Sequence, residues 1–267
     1  MVEGRGTKWL VGWTCLCICM GFSTPLAAQN TTSARSTGPP ARGITRVRTG
    51  IFRYRDLDLG KPVGSTSLTI QTLTPSGNLS FVAKADFIKD FDGFHSQQWQ
   101  AVVKPDFTPV TATLGFFRGN EVVPAFELVY SSGKVTGFIM QRHDSTALGP
   151  KQSVFALLPA GIVDQRIDWA AILATDIASG SRFAFDVFDP GTGVSHVIAH
   201  VGSIEPLQVP AGRFRVFRIV YEMQKPNKTE HYVLYVSAQA PHFMIREDFP
   251  NGTISELTRI GGPALCQ

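Results

Sequence analysis

Between Gly180 and Ile260, runs rich in Phe, Val, Ile and Tyr are cut at short intervals by turn residues, and this rhythm constrains the fold more than any other feature. Runs of that length bounded by Gly, Pro, Asn and Asp read as strands. Arg182 to Phe188 leads into the turn Asp189-Pro190-Gly191-Thr192-Gly193, and Ser195 to Ile204 runs back. Leu207 to Val209 then passes through Pro210-Ala211-Gly212 into Arg213 to Met223. Within that run Phe214 and Val216 are apolar on even positions, whereas Phe217, Ile219, Tyr221 and Met223 are apolar on odd ones. The change of phase calls for a bulge near Phe217 or burial of both faces. Tyr232 to Val236 is apolar on both faces, as expected where a sheet is covered on two sides.

Upstream the pattern is a meander. Val47 to Leu57 and Ser67 to Leu73 flank Leu59-Gly60-Lys61-Pro62-Val63-Gly64, a hairpin signal. Leu79, Phe81, Ala83, Ala85 and Phe87 alternate with Ser80, Lys84 and Asp86, the period of a strand with one wet face, although Val82 breaks it. Ser96 to Val103 and Val110 to Phe117 are separated by the double-proline break Lys104-Pro105-Asp106-Phe107-Thr108-Pro109. Ala125 to Tyr130 and Lys134 to Gln141 sit either side of Ser131-Ser132-Gly133. One interruption is helical: Val163, Ile167, Ala170, Ala171 and Ala174 recur at helical spacing, with Asp164 near the start and Gly180 beyond the end.

The N-terminus reads as an export signal over residues 1–28. Arg5 and Lys8 supply positive charge, Trp9 to Phe22 is uncharged and apolar, and Ala27-Ala28 offers small residues for cleavage after Ala28. The opposing reading is an uncleaved membrane anchor. Of four cysteines, Cys15, Cys17 and Cys19 lie in the apolar run, so cleavage leaves Cys266 alone and no intramolecular disulfide. Residues 29–45 form a basic linker too poor in apolar side chains to order itself. Residues 46–262 are expected as a single β domain and 263–267 as a tail.

The formal net charge is +4, with Arg35, Arg42, Arg46, Arg48, Arg53 and Arg55 preceding Asp56, the first acid after the signal. Without aromatics interleaved on a defined element this is not a nucleic-acid surface. Anionic lipid is the partner such an arm fits at an envelope, and a solvated linker is the plainer reading.

Several stretches resemble the exported bacterial proteins of domain-of-unknown-function family 3108. The similarity runs from Arg53 to Ile260. It rests on Leu59-Gly60-Lys61-Pro62-Val63-Gly64-Ser65, on Lys104-Pro105-Asp106-Phe107-Thr108-Pro109, and on Ser179-Gly180-Ser181-Arg182-Phe183 through Val209-Pro210-Ala211-Gly212-Arg213-Phe214. Tyr232 to Val236 and Pro241-His242-Phe243-Met244-Ile245 extend it. The resemblance implies a curved, envelope-associated β-structure with no established activity, and it brings no catalytic residues.

No segment carries the residue types and spacing of a catalytic or metal site. His196 and His200 have zincin spacing, but on a strand they stand roughly 13 Å apart and share no metal. His143-Asp144-Ser145 holds three triad letters on adjacent residues that cannot reach one another, and reads as a polar loop. Asp86, Asp90, Asp92 and His95 are the densest acid cluster, interrupted by Phe87, Phe91 and Phe94, and read as a loop lip or a solvated loop. Phe91, Phe94, Trp99, Phe107, Phe116 and Phe126 are the residues expected to line an apolar ligand site, against the plain alternative of core aromatics.

These readings predict an all-β fold: a strongly curved antiparallel sheet, a partly open β-barrel or a sandwich, with one short helix. They predict a secreted protein, periplasmic or outer-membrane-associated in a bacterium, monomeric and working without cofactor or metal. The function expected is a non-catalytic module for an apolar or amphipathic envelope ligand such as lipid. The alternatives are a structural or assembly protein docking another envelope protein through a sheet edge or aromatic lip, and, third, a hydrolase using Asp86, Asp90, Asp92 or His95.

Overall fold

The computed structural model describes residues 42–142 and 148–262. The export segment, residues 29–41, the His143-Asp144-Ser145 loop and the tail with Cys266 lie outside them.

Fifteen strands form one sheet. The first eight are β1 (Gly50–Asp58), β2 (Lys61–Leu73), β3 (Asn78–Phe91), β4 (Phe94–Val103), β5 (Pro109–Arg118), β6 (Glu121–Ser131), β7 (Lys134–Arg142) and β8 (Leu148–Leu157). They pair in sequence as an antiparallel meander. The chain then crosses through β9 (Val163–Asp164), a single 3-10 turn and helix α1 (Asp168–Leu173). It continues as β10 (Arg182–Asp189), β11 (Gly193–Val209), β12 (Gly212–Lys225), β13 (Lys228–Ser237), β14 (Met244–Asp248) and β15 (Thr253–Ile260). β15 pairs with β1, joining the two halves, while β9 lies parallel to β10 at the far edge. The fold is therefore the strongly curved antiparallel sheet with one short helix that the strand rhythm predicts.

Alternation sets the curve's inner face. On β1, Phe52 and Tyr54 are buried and Arg53 and Arg55 exposed; on β3, Leu79, Phe81, Ala83 and Ala85 are buried. All six residues of α1 are buried, so the helix lies inside the sheet's curve. Trp169 meets the edge of Phe81 at a ring separation of 6.0 Å, and Phe81 packs on Phe107 at 6.2 Å. Fully burying side chains of this size stabilises by about 1.5–3 kcal/mol each.

Four sequence expectations change. The linker does not run to residue 45: Gly43 N–H donates to the Ala174 carbonyl and Ile44 packs on the core, so the chain docks where its first large apolar side chain meets the end of α1. The acid-rich stretch at 86–95 is strand rather than loop, interrupted by a register shift between Asp86 and Phe91, and β3 and β4 meet at a two-residue turn, Asp92-Gly93, with φ of 52° and 77°. That dipeptide favours the hairpin turn whose twist matches the flanking strands.

Of the two readings of the phase change near Phe217, burial of both faces holds, since Val216 and Phe217 are both buried, and the register slip lies on the facing strand, between Val201 and Ile204. Ser195–Ile204 and Leu207–Val209 fuse into β11. Pro206 is tolerated there because β10 pairs only as far as His200, so this part of β11 carries a sheet neighbour on one side. On β13 Tyr232, Leu234 and Val236 are buried while Val233 and Tyr235 are half-buried, so one face is only partly covered. The Arg246 guanidinium lies over the Tyr235 ring at 5.5 Å.

Candidate functional site

The aromatics expected to line a ligand site are placed mostly in the core. Trp99, Phe107, Phe116, Phe126 and Phe94 are buried, and Phe91 is half-buried at the end of β3. Phe94 packs on Phe116 at 5.2 Å under the Arg118 guanidinium. Phe126 lies beneath Arg166, 4.5 Å from its ring centre.

His196 and His200 both sit on β11, as strand geometry requires, and His196 Nδ1 is 2.7 Å from Asp186 Oδ1 on β10. Asp86 and Asp90 are exposed, with Asp86 3.3 Å from Lys84, and the His95 ring lies 6.5 Å from Phe117. Among the described residues no group of three or more His, Cys, Asp or Glu is placed to hold a metal ion.

Two buried polar assemblies were not foreseen. The first is a clasp that closes the curve. Asp164 follows the buried Val163 on β9, and its carboxylate accepts the Tyr130 hydroxyl from β6 at 2.5 Å. Arg166 donates to Asp164 through Nε and Nη2, at 2.5 and 2.7 Å, and through Nη1 to Asp189 Oδ2 at 2.7 Å. Its side chain is 7 % exposed and that of Asp164 fully buried. Asp189 ends β10, so one guanidinium ties the far edge of the sheet to β6 across the interior. Such a pair costs several kcal/mol per ion in desolvation and repays it only with complete hydrogen bonding, which Arg166 approaches.

The second assembly lies between α1 and β12–β14. Tyr221 donates to Glu247 Oε1 at 2.7 Å and stacks on Tyr232 at 4.7 Å, and Tyr232 donates to Glu230 at 2.9 Å. Lys225 Nζ and Lys228 Nζ each reach Glu230 at 2.6 Å. Asp168, at the start of α1, is close enough to Glu247, Tyr221 and Lys225 for their charges to matter. Burial raises Asp168 to about 7, against the Trp169 N–H and the charges of Lys225 and Arg166. Burial and then the Asp168 charge raise Glu247 to about 8, against the Tyr221 hydrogen bond.

Nearby on the same inner face, burial raises Asp56 while Ser255 and Thr66 hold its carboxylate at 2.7 and 2.8 Å. Raised carboxyls of this kind mark functional-site candidates, but a general acid must reach a substrate proton. Asp168 and Glu247 are enclosed by helix and sheet, so here they act on stability and its pH dependence.

The sign follows from linkage. Unfolded, these two carboxyls titrate near 3.8 and 4.5; folded, at about 7 and 8. Between those limits the folded state binds more protons, so this contribution is complete below the unfolded values and is lost as the pH climbs past the folded ones. Stability should fall by on the order of 1 kcal/mol per pH unit across that window. Urea midpoints at acid and alkaline pH test this, and Glu247→Gln should flatten the slope. An unchanged slope in that variant would remove Glu247 from the explanation.

A sequence signal existed for Glu247: it shares parity with the buried Ile245, so its side chain had to turn inward. Arg166 gave no comparable signal: Asp164 is only two residues away, but Asp189 lies on β10 and Tyr130, which completes the clasp through Asp164, on β6.

The fold and these assemblies define an antiparallel β-protein of barrel-like curvature, plugged by a helix and closed by an ionic clasp. Residues 51–257 match the family described as Protein of unknown function (DUF3108), and the chain belongs to that family. No curated protein matches it. Among solved structures it is similar to a beta-barrel-like protein of domain of unknown function DUF1849 from Brucella abortus, at 10% identity and TM-score 0.48 over 80% of this chain and 98% of that one. It is also similar to a presumed exported protein with a YmcC-like fold from Bacteroides fragilis, at 14% identity and TM-score 0.35, over 83% of this chain and 100% of that one. A presumed lipoprotein from Parabacteroides distasonis matches at 10% identity and TM-score 0.33, over 83% and 99% of the two chains.

Proposed function

We propose that the protein is an exported cell-envelope component that docks an extended segment of another envelope protein on the free edge of its sheet. The observation that carries this reading is β8. Among the described residues it is a ten-residue strand paired on one side only, whereas the opposite edge is the two-residue β9, buried in the clasp. Its outward side chains Phe155 and Leu157 are 68% and 76% exposed, and Val129, on the same face two strands away, is 53% exposed. Pro150, Lys151 and a register shift blunt the start of β8, but from Gln152 to Leu157 its outer edge presents backbone donors and acceptors beside exposed apolar side chains, the template for strand addition. The basic, apolar and small-residue order of residues 1–28 supports export.

A second reading keeps an apolar or amphipathic ligand on Phe91, Phe94, Trp99, Phe107, Phe116 and Phe126. Because α1 and the rings it touches occupy the inner face, that reading requires α1 to move. Native mass spectrometry of the protein released from its own envelope separates the two. Docking predicts a protein-sized adduct that Phe155→Lys with Leu157→Lys abolishes while thermal stability holds. A lipid-sized adduct indifferent to those substitutions would overturn it.

A further inference from the structure

We propose that the cleft bounded by the β4–β5, β6–β7 and β8–β9 connections binds a phosphate group, free or as an ester. The site does not rest on the docking reading, although the cleft lies beside the end of β8, where Lys134 pairs with Leu157 and Leu158 joins the lining. Its volume is about 180 Å³, and among the described residues its lining includes Lys104, Thr108, Ser131, Ser132 and Lys134 and no carboxylate. The one acid in these turns, Asp106, is engaged by the Thr108 N–H at 2.9 Å. Pro109, Leu158 and Ile162 supply apolar lining. Two lysines contributed by separate turns, with hydroxyls between them, present point charges and donors from several directions, which suits a tetrahedral oxyanion better than a planar carboxylate. The space is too small for a drug-sized ligand but admits a headgroup.

A second observation concentrates positive charge at the same rim. Arg42 Nη1 donates to the carbonyl of Gly161, a lining residue, at 3.4 Å. Its Nε and Nη2 are buried without an acceptor among the described residues, and its guanidinium rests 4.8 Å from the Phe185 ring centre. Burial lowers its pKa to about 10, as for a cation lacking an anionic partner. Two lysines line the cleft and Arg42 is bonded to its rim, with no carboxylate in the lining among the described residues, so a phosphate there would meet only positive charge.

The test titrates the exported protein with glycerol 3-phosphate and floats it with phosphatidylcholine vesicles carrying phosphatidic acid. Lys104→Gln with Lys134→Gln should raise the dissociation constant at least about tenfold. Lys61→Gln with Lys89→Gln, which removes the same charge elsewhere, should leave it unchanged, and circular dichroism should show both pairs folded. Saturable binding of the soluble ester assigns a phosphorylated small molecule. Flotation with phosphatidic acid and no binding of the ester assigns a lipid headgroup. Absence of binding to either probe, or an equal loss in the Lys61 and Lys89 control, overturns the site.

Discussion

Gly137→Ala is expected to cost about 3 to 5 kcal/mol, the sum of backbone strain and overpacking at a site with no room to yield. Gly137 sits on β7 with φ +154°, and a Cβ built there falls 1.9 Å from the Glu127 carbonyl oxygen and 2.9 Å from its carbon. Both are backbone atoms of β6, so no side-chain rotation relieves the contact. β7 must separate from β6 at the Leu128–Gly137 pair, and β8, whose one strand partner among the described residues is β7, goes with it. Urea unfolding should show the loss, and limited proteolysis should cut β7 and β8 before the remainder of the sheet. A stability change under about 1 kcal/mol would mean that the two strands approach less closely than described.

Arg166→Met should be comparably damaging, at about 3 to 5 kcal/mol, because it leaves Asp164 and Asp189 without their cation in a buried setting. Screening barely reaches such a pair, so the loss should persist at high salt. Asp164→Asn and Asp189→Asn added to Arg166→Met should recover much of the stability, since the penalty comes from uncompensated charge rather than from the missing contacts. If the triple variant is no better than the single one, the guanidinium contributes chiefly through its packing on Phe126.

Local chemistry made the strands and most turns legible. Ser131-Ser132-Gly133 forms a tight hairpin as its composition requires, with φ of 32° and 76° at Ser132 and Gly133. The alternation of Leu79 through Phe87 names the buried side of β3 correctly. The helix was legible as a period but not in length: the apolar spacing from Val163 to Ala174 is met by a strand bridge, a 3-10 turn and six α-helical residues, because the segment is buried on every side and needs no regular stripe.

Closure of the sheet was not legible. Tyr130, Asp164, Arg166 and Asp189 come from three strands and a turn, and nothing in their spacing says that they meet. The aromatic residues show the same limit from the other direction. Composition announces that Trp99, Phe107 and Phe116 leave water, but whether they face a ligand or a helix depends on what fills the curve. Here Trp169 of α1 reaches Phe81, which also touches Phe107.

On the docking proposal, recognition occurs at the free edge of the sheet and leaves the interior closed. Hydrogen–deuterium exchange of the protein, alone and in complexes isolated from its own envelope, tests it most directly. The outward amides of β8 should exchange quickly in the free protein and slow markedly in the complex, while the amides of α1 stay protected in both. Unchanged exchange in β8 together with altered protection in α1 would contradict the account and place recognition inside the sheet's curve.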